Sequence, residues 1–176
     1  MAPVDAGTMA ILPSWSPASA GPPVKLVARP DPHTRGRNAL PHAVVGIALV
    51  LHGLITTMIG VGSVTSPNAA PMPVPSWLNW WPGPFGRSWV LDAFNLGSGP
   101  AVLGGLLWLA AGLALIGGGL GWLGVLHLGD QWPTLALAGG VLGLLALALF
   151  FHPFYLVAVI LDLAIVTLAW GRLAAS

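Results

Sequence analysis

Leu40–Val64 reads LPHAVVGIALVLHGLITTMIGVGSV and holds no Lys, Arg, Asp or Glu. A helix rises about 1.5 Å per residue and the hydrocarbon of a bilayer is about 30 Å thick, so roughly 20 apolar residues in a row cross it. This stretch is long enough. Working outward, three more runs have the same character, at about 100–126, 133–151 and 154–172. The expected architecture is all-α: an integral membrane four-helix bundle over 39–176, an extended N-terminal arm over 1–38, and short interfacial helices in a Trp-rich first external loop, 65–99.

Composition agrees with the run lengths. Hydrophobic residues make up 56% of the chain, charged residues 6%, and the mean hydropathy is +0.84. A soluble domain carries about 25% charged residues, so these side chains cannot supply a polar shell. Cysteine is absent, which excludes disulfides, thiolate metal sites and cysteine nucleophiles. Six Lys and Arg with no helical basic stripe argue against nucleic acid as a partner. The expected partners are membrane lipids and other integral membrane subunits.

The cations also set an orientation. Lys25, Arg29, Arg35 and Arg37 precede the first run and Arg172 closes the fourth, leaving only Arg87 in the loop 65–99. Loops rich in Lys and Arg stay cytoplasmic, and an even number of crossings returns the C-terminus to its starting side. Both termini are expected in the cytoplasm of a bacterium, with the chain multi-pass in the inner membrane. The start, Met1-Ala2-Pro3-Val4-Asp5, has no basic segment leading into an apolar core, so no cleaved signal peptide is expected. The Pro-, Ala-, Ser- and Gly-rich arm lacks an apolar period and needs a partner surface to become ordered.

Pro41, Pro100, Pro133 and Pro153 each stand at or near the start of a run, where the first turn of a helix tolerates a missing N–H. In the loop, Trp77, Trp80 and Trp81 fall at i, i+3 and i+4 behind Ser76, a candidate N-cap. A second cluster carries Trp89, Val90, Asp92 and Phe94. Both clusters predict short helices whose rings either anchor the loop at the membrane interface or dock another subunit or a lipid-facing cofactor. The last two runs, joined by Phe150-Phe151-His152-Pro153-Phe154-Tyr155, predict a tight hairpin with its aromatic rings at the external interface.

Membrane helices associate through close backbone approach at small residues. Gly46, Gly53 and Gly60 recur every seven residues in the first run, and Gly117–Gly121 and Gly139–Gly143 are small-xxx-small pairs in the second and third. Such faces pack a bundle internally; their number also suggests that one stripe is left for a neighbouring protein.

His52 and Asp162 lie near the middle of the first and fourth runs, at matching depth. A charged Asp at a helix centre costs roughly 2.5–3.5 kcal/mol on insertion scales, so it seeks a partner inside the bundle. The expected partner is His52, assisted by Thr56 one turn along the same face. That pair reads as a structural clasp, as a proton or ion relay, or as a ligand site. Ala48-x-x-x-His52 resembles the spacing at which light-harvesting helices bind bacteriochlorophyll, which would make His52 a pigment ligand. A bis-histidine haem would have to use His42 and His127, both near the cytoplasmic boundary. His127 with Asp130 is too sparse for a metal site, which takes three or four ligands, and no metal or resident cofactor is expected.

Leu51-His52-Gly53-Leu54-Ile55, Gly105-Leu106-Leu107-Trp108-Leu109-Ala110-Ala111 and the final hairpin reaching Asp162 resemble small bacterial four-span integral membrane proteins of uncharacterised function. The resemblance covers residues 40–173 and implies the fold rather than a reaction. Relatives of that kind carry a second His after Leu-His-Gly-Leu-Ile, where this chain has Thr56. No carboxylate cluster, nucleophile–base pair or metal set accompanies these residues, so an enzyme is not expected. The expected role is a non-catalytic accessory or structural subunit of a larger membrane complex, photosynthetic or respiratory (electron-transport) in type. The alternative is a small transporter or proton-coupled channel using His52 and Asp162.

Overall fold

A computed structural model describes residues 32–70, 73–78, 80–81, 85–125 and 127–175, with side chains from residue 41 onward. Four helices follow one another: α1 (Pro32–Thr65), α2 (Gly99–Trp122), α3 (Trp132–Leu149) and α4 (Leu156–Leu173). Among the described residues there is no strand. All four helices are long and apolar enough to cross a membrane, over Pro41–Thr65, Gly99–Trp122, Trp132–Leu149 and Pro153–Leu173. The chain is a helix bundle that fits a multi-pass membrane protein.

The expected arm, 1–38, lies outside the described residues as far as Asp31; from Pro32 it is helical rather than extended. Pro32 can occupy the first turn without losing a bond, and the helix then runs through Pro41 instead of starting there. An interior proline withdraws the N–H that the Arg37 carbonyl would have accepted. That carbonyl sits just outside the apolar window, where water can satisfy it. The other three prolines keep the expected place: Pro100 and Pro133 are in the first turns of α2 and α3, and Pro153 opens the one-turn 3-10 helix leading into α4.

The second helix stops at Trp122, short of the expected Leu126, which is itself outside the described residues. Gly124 takes a left-handed φ of +73°, and the Val125 N–H reaches back to the Leu120 carbonyl at 2.8 Å. A left-handed glycine with that six-to-one bond is a Schellman stop, which satisfies the end carbonyls and ends the helix.

Helix α1 packs along α2, α2 along α3 and α3 along α4. The α1–α2 seam is a reciprocal glycine zipper. A Cβ added at Gly53 would lie 2.7 Å from the Gly112 carbonyl, one at Gly60 2.8 Å from the Gly105 carbonyl, and one at Gly119 2.9 Å from the Gly46 carbonyl. Only hydrogen fits at these approaches, and close approach maximises dispersion contact where lipid gives no hydrophobic drive. The expected spare stripe therefore does not exist on α1: Gly46, Gly53 and Gly60 are used up against α2. On α3, Gly139 meets Leu115 of α2, while Gly143 turns towards α4. The Gly117–Gly121 pair is only half engaged, since a Cβ added at Gly117 would meet nothing closer than Leu135 at 3.3 Å whereas one at Gly121 would lie 2.5 Å from the Leu128 carbonyl.

Hydroxyls within the spans donate to carbonyls one turn back: Thr57 to Gly53 at 2.8 Å, Ser63 to Ile59 at 3.0 Å and Thr167 to Leu163 at 2.8 Å. In hydrocarbon this is the way a lone hydroxyl avoids standing unpaired.

Candidate functional site

Polar side chains gather at two levels of the bundle. At mid-depth, His52 Nε2 and Asp162 Oδ1 are 2.9 Å apart, an imidazole N–H donating to a carboxylate oxygen. The bond joins the first helix to the last, a pair with no extensive packing of its own. The two side chains are 12% and 2% exposed. Room for the carboxylate comes from α3: a Cβ at Gly143 would collide with Asp162 Oδ2 and come within 3.1 Å of its Cγ. Three helices thus meet at one node, α1 giving the imidazole, α4 the acid and α3 the space.

Thr56 is buried beside the node but does not assist it as expected. Its hydroxyl donates to the His52 carbonyl at 2.8 Å, the same local satisfaction as its neighbours make. Asp162 engages the Nε2 of His52, so a pigment metal at this residue would have to meet Nδ1. His42 stacks on Trp122 with ring centroids 5.0 Å apart, and the Trp122 indole N–H donates to the His42 carbonyl at 2.7 Å. His127 is exposed on the connection between α2 and α3. Neither arrangement resembles an axial ligand held in a pocket. No group of three or more His, Cys, Asp or Glu converges among the described residues.

At the end of the bundle that carries the loop 65–99 lies a cap of aromatic rings. The expected interfacial helices shrink to single 3-10 turns, Ser76–Leu78 and Leu91–Phe94. Helix formation needs several fixed residues before bonds repay it, and prolines at 73, 75 and 82 leave no room for that run. Trp77, Trp80, Trp89 and Phe94 are all exposed, whereas Trp81 turns inward, edge-on to Phe151 at 5.0 Å and to Trp89 at 6.0 Å. The Trp81 indole Nε1 is buried without a partner among the described residues.

The loop is stitched to the end of α3, whose last carbonyls need donors. The Ser88 hydroxyl donates to the Leu149 carbonyl at 2.7 Å and accepts the Leu91 N–H at 2.9 Å; the Trp89 indole donates to the Ala148 carbonyl at 2.9 Å. Between α3 and α4, His152 Nδ1 accepts the Phe154 N–H at 3.1 Å and so caps the turn into α4. Burial lowers the His152 pKa from its ordinary 6.5. Sequence reasoning missed both Ser88 and His152. Ser88 gave no local signal, but His152 stands directly before Pro153, where a side-chain acceptor is the usual way to start a helix.

A cavity of about 650 Å³ opens under this cap, walled by the end of α1, the loop, the start of α2 and the turn between α3 and α4. Arg87 and Asp92 stand at its edge, Nε to Oδ2 at 3.1 Å. Set against known protein families, curated proteins and solved structures, the chain finds no match in any of the three.

Proposed function

We propose that the protein is a non-catalytic integral membrane subunit that works by packing against other membrane-embedded chains. One observation carries the reading: the outer face of α4. This helix buries only Asp162 and Ala169, and Ala164, Thr167 and Gly171 are exposed on it at i, i+3 and i+7. A Cβ at Gly171 would meet nothing within 4 Å. Small residues on a lipid-facing helix leave a smooth strip on which another helix can lie closely, the role withdrawn from the α1 glycines. Purification of the tagged full chain in mild detergent is expected to bring down a stoichiometric membrane partner, and Ala164→Leu with Gly171→Leu to release it. A lone, monodisperse chain would overturn the proposal. The setting proposed is a photosynthetic or respiratory assembly of a bacterial inner membrane, with both termini cytoplasmic as the cation bias supports; pigment or haem absorption in the co-purified complex is the readout for that part.

The His52–Asp162 pair supports a second reading, a small proton-coupled transporter, because ionisable pairs at mid-depth mark transport paths in membrane proteins. Flux into liposomes that survives Asp162→Asn removes it.

A further inference from the structure

The cavity under the cap holds one group that the fold does not use. Its polar wall is otherwise accounted for: Ser63 donates to Ile59, Ser88 is bonded on both sides, Arg87 pairs with Asp92, and Ser66 is an exposed residue whose hydroxyl water can serve. Tyr155, at the entry to α4, is more than nine-tenths buried against Trp108, Ala146 and Leu147 and also lines the cavity. Its hydroxyl bonds to no described residue, yet it is not among the atoms sealed from solvent. A phenol in that position opens on the cavity. An unmade hydrogen bond in an apolar site is unfavourable, and polar groups that go unpaired there are the ones a bound molecule completes.

We propose that this cavity binds a neutral amphiphile whose carbonyl oxygen accepts the Tyr155 hydroxyl. The volume falls within the roughly 300–1,000 Å³ of small-molecule sites. The walls are mostly apolar, with four aromatic rings among them. Phe85 lies 5.1 Å from Tyr155 and 4.9 Å from Phe154, ring centre to ring centre, with Ile59 and Phe150 also on the wall. The one cation at the edge is neutralised by its own carboxylate, so the site offers an anionic head no net charge. A donor at the wall and an apolar lining together select an acceptor on a greasy body. In a membrane that chemistry has two sources, the ring carbonyl of an isoprenoid quinone and the ester carbonyl of a glycerolipid.

The test uses the full chain in a maltoside detergent, which has no carbonyl of its own. The two probes are a decyl-tailed benzoquinone and dioctanoylglycerol, each labelled with carbon-13 at the carbonyl. Saturable binding of either probe, with its carbonyl stretch moved to lower frequency, is the expected result, and the probe that binds identifies the source. Tyr155→Phe should weaken binding about tenfold and abolish the infrared shift, the loss of one hydrogen bond. Ala69→Trp, an exposed loop position on the cavity wall, should block entry without touching the core. Absence of saturable binding for both probes would overturn the proposal. So would binding indifferent to Tyr155→Phe or to Ala69→Trp.

Discussion

The mid-depth node and the aromatic cap hold their polar groups by opposite means. At the node the imidazole has the carboxylate, and the carboxylate has a glycine-lined recess. At the cap an indole N–H is buried with no partner among the described residues, and a phenol that bonds to none of them opens on a cavity. The physical difference is dielectric and access. Nothing from water can reach the membrane centre to complete a missing bond, so the chain must close its own account there. Near the interface an incomplete bond can be finished by water, lipid or a ligand. Paired groups therefore report on architecture, and unpaired ones on what else binds.

The sharpest way to break the node is to fill its recess. Gly143→Leu places a side chain where Asp162 Oδ2 stands, so the carboxylate must leave and α3 and α4 must separate. Overpacking of this kind costs about 1–3 kcal/mol, and the value here should lie at the upper end because the His52 bond is lost with it. Denaturation of the detergent-solubilised protein would measure it. Gly62→Leu is the control, since a Cβ there meets nothing within 4 Å, and it should change stability little. Equal losses in the two variants would mean that the recess contributes nothing.

A double-mutant cycle isolates the bond itself. His52→Phe, Asp162→Leu and the double variant should give a coupling of about 1 kcal/mol, within the range found for hydrogen bonds between membrane helices. The double variant should be more stable than the two single losses predict. Coupling near zero would make the pair an accident of packing, and the distinction between node and cap would fail.

Much of the fold was legible because membrane physics leaves few options. Run length and apolarity predicted four spans, and depth alone matched His52 with Asp162 before any contact was known. The glycine zipper was half legible. Gly46, Gly53 and Gly60 stand out by their seven-residue spacing, and Gly105, Gly112 and Gly119 repeat it on α2, so each stripe is the other's partner. Reading only one of the two made it look spare. The cap was least legible, because its bonds join residues about sixty positions apart: Ser88 to Leu149, Trp89 to Ala148. No local period announces such contacts. The i, i+3, i+4 tryptophans misled for a related reason, since spacing describes a helix face only where enough residues can form the helix.

The cap has its own smaller handle in His152. Its Nδ1 can accept the Phe154 N–H only while it carries no proton, and burial disfavours the charged ring. The folded pKa thus lies below the ordinary 6.5, so the unfolded chain takes up the proton more readily. Stability from this group is present in full above about pH 6.5 and is lost as the pH falls through the lowered value. Denaturation between pH 8 and pH 5 should show that decline in the wild-type chain. His152→Asn keeps a capping acceptor that does not titrate, so subtracting its profile removes the contributions of the other histidines. A difference that is flat with pH would mean that the ring is already free to charge, and that the cap is wetter than its burial implies.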